Sequence, residues 1–173
     1  MKKFLALIAM AVFSASAVAH GPTPQKVDDR IVIKAEPAKV WAMVKDFGKA
    51  EAWMPNVAST TTEKKGAETL RTLTLKSGGK LVERVKNVDD ADMKIKFEFV
   101  SGGPIANYSP YISVSPGPNA GESSVRYFHR FYRFYPNNPP IPEGQDDASA
   151  VKFVKDNYTP ALENLKKVIE NLK

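Results

Sequence analysis

The sequence has 173 residues, with 25 basic and 19 acidic side chains, a formal net charge of +6 and no cysteine. The lack of cysteine excludes disulfide bonds, thiolate metal sites, cysteine nucleophiles and covalent haem attachment. Basic and acidic residues are interspersed along the chain. This pattern favours an ordinary solvated surface with a weak preference for an acidic partner.

The first nineteen residues have the pattern of an export signal. A basic start at Lys2 and Lys3 precedes an apolar run over residues 4–13, and the small-residue motif at 17–19 is a cleavage site. The apolar run is too short to span a bilayer, which needs about 20 residues. We therefore expect residues 1–19 to be removed, leaving one domain of residues 20–173 in the periplasm without a membrane span. Nucleic acid is not an expected partner in that compartment.

A strand and two short helices are predicted first. Alternation over residues 27–35 predicts a strand, and Pro37 suits the first position of a following helix. The stretch 40–55 holds both tryptophans and has the spacing of an amphipathic helix. We expect Gly48 to break this stretch into two helices and Pro55 to end the second. Aromatic residues held in this way either fill a core or cover a cavity.

Antiparallel strands joined by turns are predicted next. Alternation of apolar and polar residues marks strands at 57–63, 69–76, 81–88, 93–100, 108–114 and 123–135. The acidic run 89–92 is predicted to be a turn, because it lacks the glycine and the distal glutamate of a calcium loop. In the last strand Arg126 and Arg130 share a face, so the opposite face, with Tyr127 and His129, should point inward.

A long helix over about residues 148–172 ends the chain, after a proline-rich loop at 136–145. Its apolar stripe keeps helical spacing over Val151, Val154, Tyr158, Leu162, Leu165, Ile169 and Leu172. Asp146, Asp147 or Ser149 could cap it, and Pro160 predicts a kink. At 1.5 Å per residue the helix is about 36 Å long, enough to cross a whole sheet. We therefore predict an α+β fold, in which a curved antiparallel sheet wraps around the C-terminal helix and two short helices follow the first strand. The short helices would close the mouth of a binding cavity.

Scattered motifs along the chain resemble one superfamily. They are Val40-Trp41, Asp46-Phe47, Trp53-Met54-Pro55, Gly66, Arg71, Gly79, residues 81–85, Pro104, Tyr108 and the strand around Tyr127. This set resembles the START/Bet v 1-like (SRPBCC, polyketide cyclase/dehydrase) superfamily, whose fold is the helix grip. The superfamily holds carriers, cyclases, plant hormone receptors and allergens, so the resemblance implies a fold rather than one activity.

At a finer level, an exported protein of this size that begins HGPTP resembles the MxaD family of periplasmic methanol-oxidation accessory proteins. That resemblance implies assistance to methanol dehydrogenase and its acidic cytochrome c, rather than catalysis. The alternatives are a cyclase/hydratase-type enzyme and a lipid or small-molecule carrier, each acting through the cavity. No cofactor is expected.

Candidate site residues follow from the inward faces. Arg71 and Glu83 are expected inside on neighbouring strands, where they should pair with each other or with a polar ligand group, or act in acid–base chemistry. The set expected to line the concavity also includes Trp41, Phe47, Trp53, Met54, Leu73, Phe97, Phe99, Tyr108, Tyr127, His129 and Phe131. Core filling explains these residues as well as a small apolar ligand does.

A copper site at His20 is a further functional hypothesis. After cleavage His20 would be the first residue, and its α-amine and imidazole could chelate copper. Such a site normally needs a second imidazole, and the only other histidine, His129, lies far away in the sequence.

Overall fold

The structure is a computed structural model that describes residues 21–172. The predicted export signal at 1–19 and the copper hypothesis at His20 lie outside the described residues. Eight strands, two α-helices and one 3-10 helix make up the described part. In chain order they are β1 (Gln25–Ile33), α1 (Pro37–Lys45), the 3-10 helix (Phe47–Ala52), β2 (Val57–Lys65), β3 (Glu68–Leu75), β4 (Lys80–Asp89), β5 (Lys94–Ser101), β6 (Ile105–Ala106), β7 (Tyr111–Pro116), β8 (Ser123–Arg133) and α2 (Asp147–Asn171).

The strands form one antiparallel sheet in the order β1-β8-β7-β5-β4-β3-β2, and the short β6 pairs with β8. Helix α2 packs on β1 and β8, α1 packs on β7 and β8, and the 3-10 helix covers β2 and β3. The curved sheet around a C-terminal helix, with two short helices after the first strand, confirms the predicted helix-grip fold. In the part of the chain that the structure describes, no helix is both long and apolar enough to cross a membrane.

The alternating faces of the strands agree with the sequence pattern. On β8, Val125, Tyr127, His129 and Phe131 are buried, while Arg126 and Arg130 point to the other face. The predicted inward face was incomplete, because it stopped before Arg133. This residue is also buried, at 5% exposure, and its guanidinium donates to the carbonyls of Tyr135 and Asn137. These carbonyls, together with the Asp147 carboxylate 3.3 Å from Arg133 Nη1, make an inward charge tolerable.

The break between the two short helices is not where the sequence predicts it. Helix α1 ends before Asp46, which has φ −76° and ψ 70°, and Gly48 lies in the following 3-10 helix, which is itself kinked one residue later at Lys49, with φ −125° and ψ 42°. That helix ends at Ala52, so Pro55 does not terminate it either. The tight turn continues through backbone bonds from Trp53 and Met54 to the carbonyl of Ala50, which hold both side chains in the core.

Helix α2 begins after Asp146, one of the three predicted caps. The Asp146 carboxylate accepts a 2.7 Å bond from the Ser149 amide, which satisfies one free amide of the first turn. The helix continues through Pro160, which has no amide hydrogen to donate to the carbonyl of Asp156. That carbonyl instead accepts a 2.9 Å bond from the Asn56 side chain, just after the 3-10 helix. At the far end Leu172, predicted on the apolar stripe, is 48% exposed because the helix has already ended.

Candidate functional site

The centre of the grip contains a buried ion pair. Arg71 on β3 and Glu83 on β4 are directly opposite each other, and Arg71 Nε donates to Glu83 Oε2 at 2.7 Å. Both side chains are sealed from solvent, at 1% and 0% exposure. The Arg71 guanidinium also lies 4.1 Å from the centroid of the Phe97 ring, and its Nη1 donates to the Phe47 carbonyl at 3.4 Å. The predicted pairing of Arg71 with Glu83 is therefore present, and a ligand role for it stays a prediction.

A cluster of rings surrounds this pair. Tyr108 precedes β7, Tyr127 and His129 point inward from β8, and Tyr158 reaches in from α2. The Tyr158 hydroxyl donates to Glu83 Oε1 at 3.4 Å, and the Tyr108 hydroxyl is 2.7 Å from His129 Nδ1. Ring centroids in the cluster lie 4.1–5.9 Å apart. Every one of these four side chains is 0% exposed.

Burial sets the protonation state of the cluster. Desolvation lowers the pKa of His129 to about 3, so the imidazole is neutral at pH 7. Burial also raises the pKa of Tyr108, Tyr127 and Tyr158, which keeps all three hydroxyls protonated. Desolvation is the largest single influence on Arg71 and acts to lower its pKa, but the attraction and hydrogen bond of Glu83, together with Tyr127 and Tyr158, outweigh it and the pKa is raised. At neutral pH the cluster therefore contains one cation, one anion and neutral hydrogen-bonding groups.

Four polar atoms in this interior lack a hydrogen-bond partner among residues 21–172. They are Trp53 Nε1, Arg71 Nη2, Tyr127 Oη and His129 Nε2. The Trp53 and Tyr127 rings are 6.4 Å apart, and Tyr127 contacts His129, so three of the four belong to one group of touching rings. Buried polar atoms are normally paired, so these are the donors and acceptors that a small polar guest would meet.

The other predicted site residues fall into two groups. Met54, Leu73, Phe97 and Phe131 are buried in the core at 2% exposure or less, and Phe47 and Phe99 are partly buried against it. Trp41 lies outside the central cluster of rings. Its indole donates to Asp90 Oδ1 at 2.8 Å in the β4–β5 turn, where Lys45 Nζ donates to the same oxygen. Residues 90–92 of the acidic run thus form a turn, as predicted, while Asp89 is the last residue of β4, and Asp90 anchors α1.

The sequence-based site set omitted one central residue, Tyr158. It bonds to Glu83 and contacts the rings of Tyr108, Tyr127 and His129. Its place on the apolar stripe of α2 indicated burial. The sequence does not indicate which strands Tyr158 contacts, because that depends on how the sheet curves around α2. A hydroxyl on an otherwise aliphatic buried stripe was the available signal, because a buried tyrosine hydroxyl needs a partner.

Chemically, the arrangement favours binding a small molecule over catalysing proton transfer. The imidazole and the tyrosines do not change protonation near pH 7, and the carboxylate is neutralised by Arg71. Among the described residues, no group of three or more histidine, aspartate or glutamate side chains is placed to hold a metal ion. The interior can offer hydrogen bonds, one guanidinium and ring faces to a small guest that displaces packed side chains.

Comparison with known proteins supports the fold. The model of the family described as polyketide cyclase / dehydrase and lipid transport matches residues 24–170. The aromatase/cyclase Zhui from a Streptomyces species has 13% identity to this chain and a TM-score of 0.73, with 86% of this chain and 94% of that chain covered. The protein XoxI from Bacillus cereus has 20% identity and a TM-score of 0.73, with 85% and 96% covered.

No curated protein matches the sequence. At these low identities the solved structures establish only that the fold is shared. The family model matches the sequence itself over nearly all of the described residues, from the residue before β1 to the last turn of α2. The chain therefore belongs to the polyketide cyclase/dehydrase and lipid transport family.

Proposed function

We propose that the protein is a non-catalytic binding protein that acts after export to the periplasm. The observation that supports this proposal is the burial of the interior, where the Arg71–Glu83 pair and the surrounding rings are 0–1% exposed. General acid–base catalysis needs a group whose pKa lies near the working pH and which reaches the substrate. The one histidine inside has a pKa of about 3. Such an interior supports a protein that works through what it binds.

The specific role we propose is that of an accessory protein in periplasmic methanol oxidation. Support comes from the MxaD-like combination of an export signal, a short chain and the HGPTP start. The protein would assist methanol dehydrogenase or the encounter of that enzyme with its acidic cytochrome c. A basic protein can bring acidic partners together through long-range attraction, which is weakened by salt.

The test uses the mature protein, residues 20–173, with purified methanol dehydrogenase and its cytochrome c. We expect binding to one of the two, or a faster transfer of electrons between them, at low salt, and a smaller effect at physiological salt. An unrelated basic protein of similar size at the same concentration is the control. If the mature protein neither binds nor affects the pair at either salt concentration, the accessory role is refuted.

A second candidate is suggested by the four unpaired polar atoms of the interior. Trp53 Nε1, Arg71 Nη2, Tyr127 Oη and His129 Nε2 would serve a carrier or a cyclase/hydratase-type enzyme that opens to admit a small molecule. On this hypothesis Arg71→Ala or Glu83→Gln abolishes binding or turnover while circular dichroism still shows a folded protein. Equal activity of the folded variants and the wild type would exclude a role for the pair in either function.

A further inference from the structure

The outer face of the sheet, turned away from α2, carries an aromatic pair in its middle. Strand register places Phe128 of β8 opposite Tyr111 of β7, and their rings stack with centroids 5.1 Å apart. Basic side chains surround the pair on the neighbouring strand positions. We name the two rings and these six residues the outer patch: Lys26, Arg30, Lys94, Lys96, Arg126 and Arg130.

Cations hold the two rings in place. Lys94 Nζ lies 4.2 Å from the Tyr111 ring centroid, and the Arg126 guanidinium lies 5.4 Å from Tyr111 and 5.1 Å from Phe128. Cation–π contacts of this length are favourable at exposed sites. Side chains fixed in this way lose less conformational freedom when a partner binds, so the outer patch is already organised for contact.

Like charges face each other across two strands of the outer patch. Lys26 is directly opposite Arg130, and Arg30 is directly opposite Arg126. Such directly opposed like charges destabilise a sheet. One carboxylate, that of Asp28, accepts both 2.7 Å bonds from Arg126 and also the 3.4 Å bond from Arg30. The Lys26–Arg130 pair has no such carboxylate within residues 21–172, and a local arrangement that costs stability in this way is typical of a functional surface.

Several cations of the outer patch remain available. Within residues 21–172, Lys26, Lys94, Lys96 and Arg130 have no carboxylate at ion-pair distance. A depression of about 430 Å³ opens beside the rings, with Lys96 and Arg130 among its lining residues. A carboxylate that entered it would meet both cations, and Glu98, which also lines it, is already paired with Arg84 and Lys86. On helix α2, Lys152 and Lys166 each pair with an acidic residue four positions on, whereas Lys155 and Lys167 have no carboxylate at ion-pair distance within residues 21–172 and therefore suit a control.

We propose that the outer patch docks an acidic surface of a protein partner. Aromatic rings and arginine are the side chains enriched at protein interfaces, and unpaired cations attract a carboxylate-rich face. An anionic membrane fits less well. The rings stack on each other and lie under the cations instead of projecting as anchors. The inference rests on the proposed function only in taking the acidic cytochrome c as the first partner to be tested.

The test compares two charge-matched variants of the mature protein. The patch variant is Lys96→Glu with Arg130→Glu, and the control is Lys155→Glu with Lys167→Glu on the exposed face of α2. Circular dichroism first verifies that both are folded. We expect the patch variant to weaken binding of the acidic cytochrome c at least tenfold and the control less than twofold, with affinity falling as salt rises from about 10 mM to about 150 mM.

A second probe separates this inference from the proposed function. Hexaglutamate is titrated into isotope-labelled mature protein, and we expect amide resonances of β5, β7 and β8 in the outer patch to shift. If hexaglutamate shifts these resonances but the cytochrome does not bind, the docking surface stands and the methanol-oxidation partner is wrong. If the wild type and the patch variant bind the cytochrome equally, the partner stands and the docking surface is overturned.

Three other results overturn the inference. Equal weakening in the patch variant and the α2 control would show that overall charge alone drives binding. Tighter binding of phosphatidylglycerol vesicles than of either acidic probe at physiological salt, lost in the patch variant, would make the outer patch a membrane surface. Failure of both acidic probes to bind the wild type at low salt would leave the outer patch without its proposed partner class.

Discussion

Arg71 and Glu83 are sealed from water, so each depends on the other for the stabilisation that its charge loses on burial. A buried pair of this kind is often no more stabilising than two apolar residues of the same volume, but removing one partner leaves an uncompensated charge. The cation–π contact with Phe97 and the bond from Tyr158 compensate only part of that loss. The pair is therefore a sensitive point of the core.

The first prediction concerns this pair. Arg71→Met should lower the free energy of unfolding by about 3–5 kcal/mol, since it strands the Glu83 carboxylate in the interior. Arg71→Met combined with Glu83→Leu should lose clearly less than the single variant, because no charge is then buried. Urea unfolding of wild type, both single variants and the double variant measures the cycle. A double variant that is less stable than either single variant would contradict the explanation.

The second prediction concerns His129, whose pKa falls from 6.5 to about 3 on burial. The unfolded chain binds a proton below pH 6.5 that the folded protein does not bind until about pH 3, so the free energy of unfolding decreases with acidification across that window. At pH 4.5 the loss from this residue is roughly 2–3 kcal/mol relative to pH 7.5.

His129→Gln isolates this effect. Glutamine can accept the Tyr108 hydroxyl bond but does not titrate, so the difference in unfolding free energy between pH 7.5 and pH 4.5 should be smaller than in the wild type. Urea unfolding at the two pH values measures it. Parallel stability profiles for the two proteins would show that the imidazole is solvated or paired in the folded state.

At the scale of elements, α2 is fastened to the rest of the fold by side chains as well as by its apolar stripe. Asn56 donates to the Asp156 carbonyl, Asn164 donates to the Trp53 carbonyl at 3.1 Å, and Thr159 donates to Asp29 on β1 at 2.7 Å. These bonds join α2 to the segment after the 3-10 helix and to β1, which are the two sides of the grip. The Asp156 carbonyl is free to accept the Asn56 bond because Pro160 has no amide hydrogen to donate to it.

The third prediction tests this coupling. Asn56→Ala should cost about 1 kcal/mol of unfolding free energy, because it leaves the Asp156 carbonyl without its partner. In a Pro160→Ala background the same substitution should cost less, since the alanine amide can donate to that carbonyl within the helix. A double-mutant cycle by thermal or urea unfolding gives the coupling energy. Equal costs in the two backgrounds would show that the proline is not the cause of the bond.

At the scale of the whole molecule, the two faces of the sheet differ in what they contribute. The inner face, α2 and the short helices together bury one apolar cluster that contains the Arg71–Glu83 pair. The outer face carries the outer patch, where opposed cations on β1 and β8 repel each other and lower stability. The same cations supply the positive charge for docking. Stability and binding therefore make opposite demands on the same surface.

The fourth prediction follows from these opposed demands. Lys26→Thr should raise Tm by about 1–3 °C at low salt, because it removes the repulsion with Arg130 and adds a β-branched residue to a strand. The same variant should bind an acidic partner more weakly. Lys64→Thr on β2 is the matched control, since Lys64 is opposite a threonine and not a cation. An equal gain in Tm from both variants would assign the effect to strand propensity alone.

Sequence periodicity was sufficient for the elements other than the two-residue β6, and for the inward faces. Alternation predicted which residues of β1, β3, β4, β5 and β8 point inward, and the spacing in α2 predicted its buried stripe apart from Leu172. These features depend on residues close together in the chain, where the periods of strand and helix act directly. The wrong position for the break between the short helices has the same origin. Glycine is a statistical signal of a break, whereas α1 ends before Asp46, where the backbone φ and ψ are not helical.

The sequence alone therefore determined the α+β class, the order of the elements, the faces of the strands and the inward position of Arg71 and Glu83, because these are set by local pattern. Tertiary structure decided that Tyr158 bonds to Glu83, that Trp41 anchors to Asp90 outside the central cluster, and that like charges of β1 and β8 are opposed. These contacts join residues far apart in sequence, and their geometry depends on strand register and sheet curvature. Both arise only when the whole chain packs around α2.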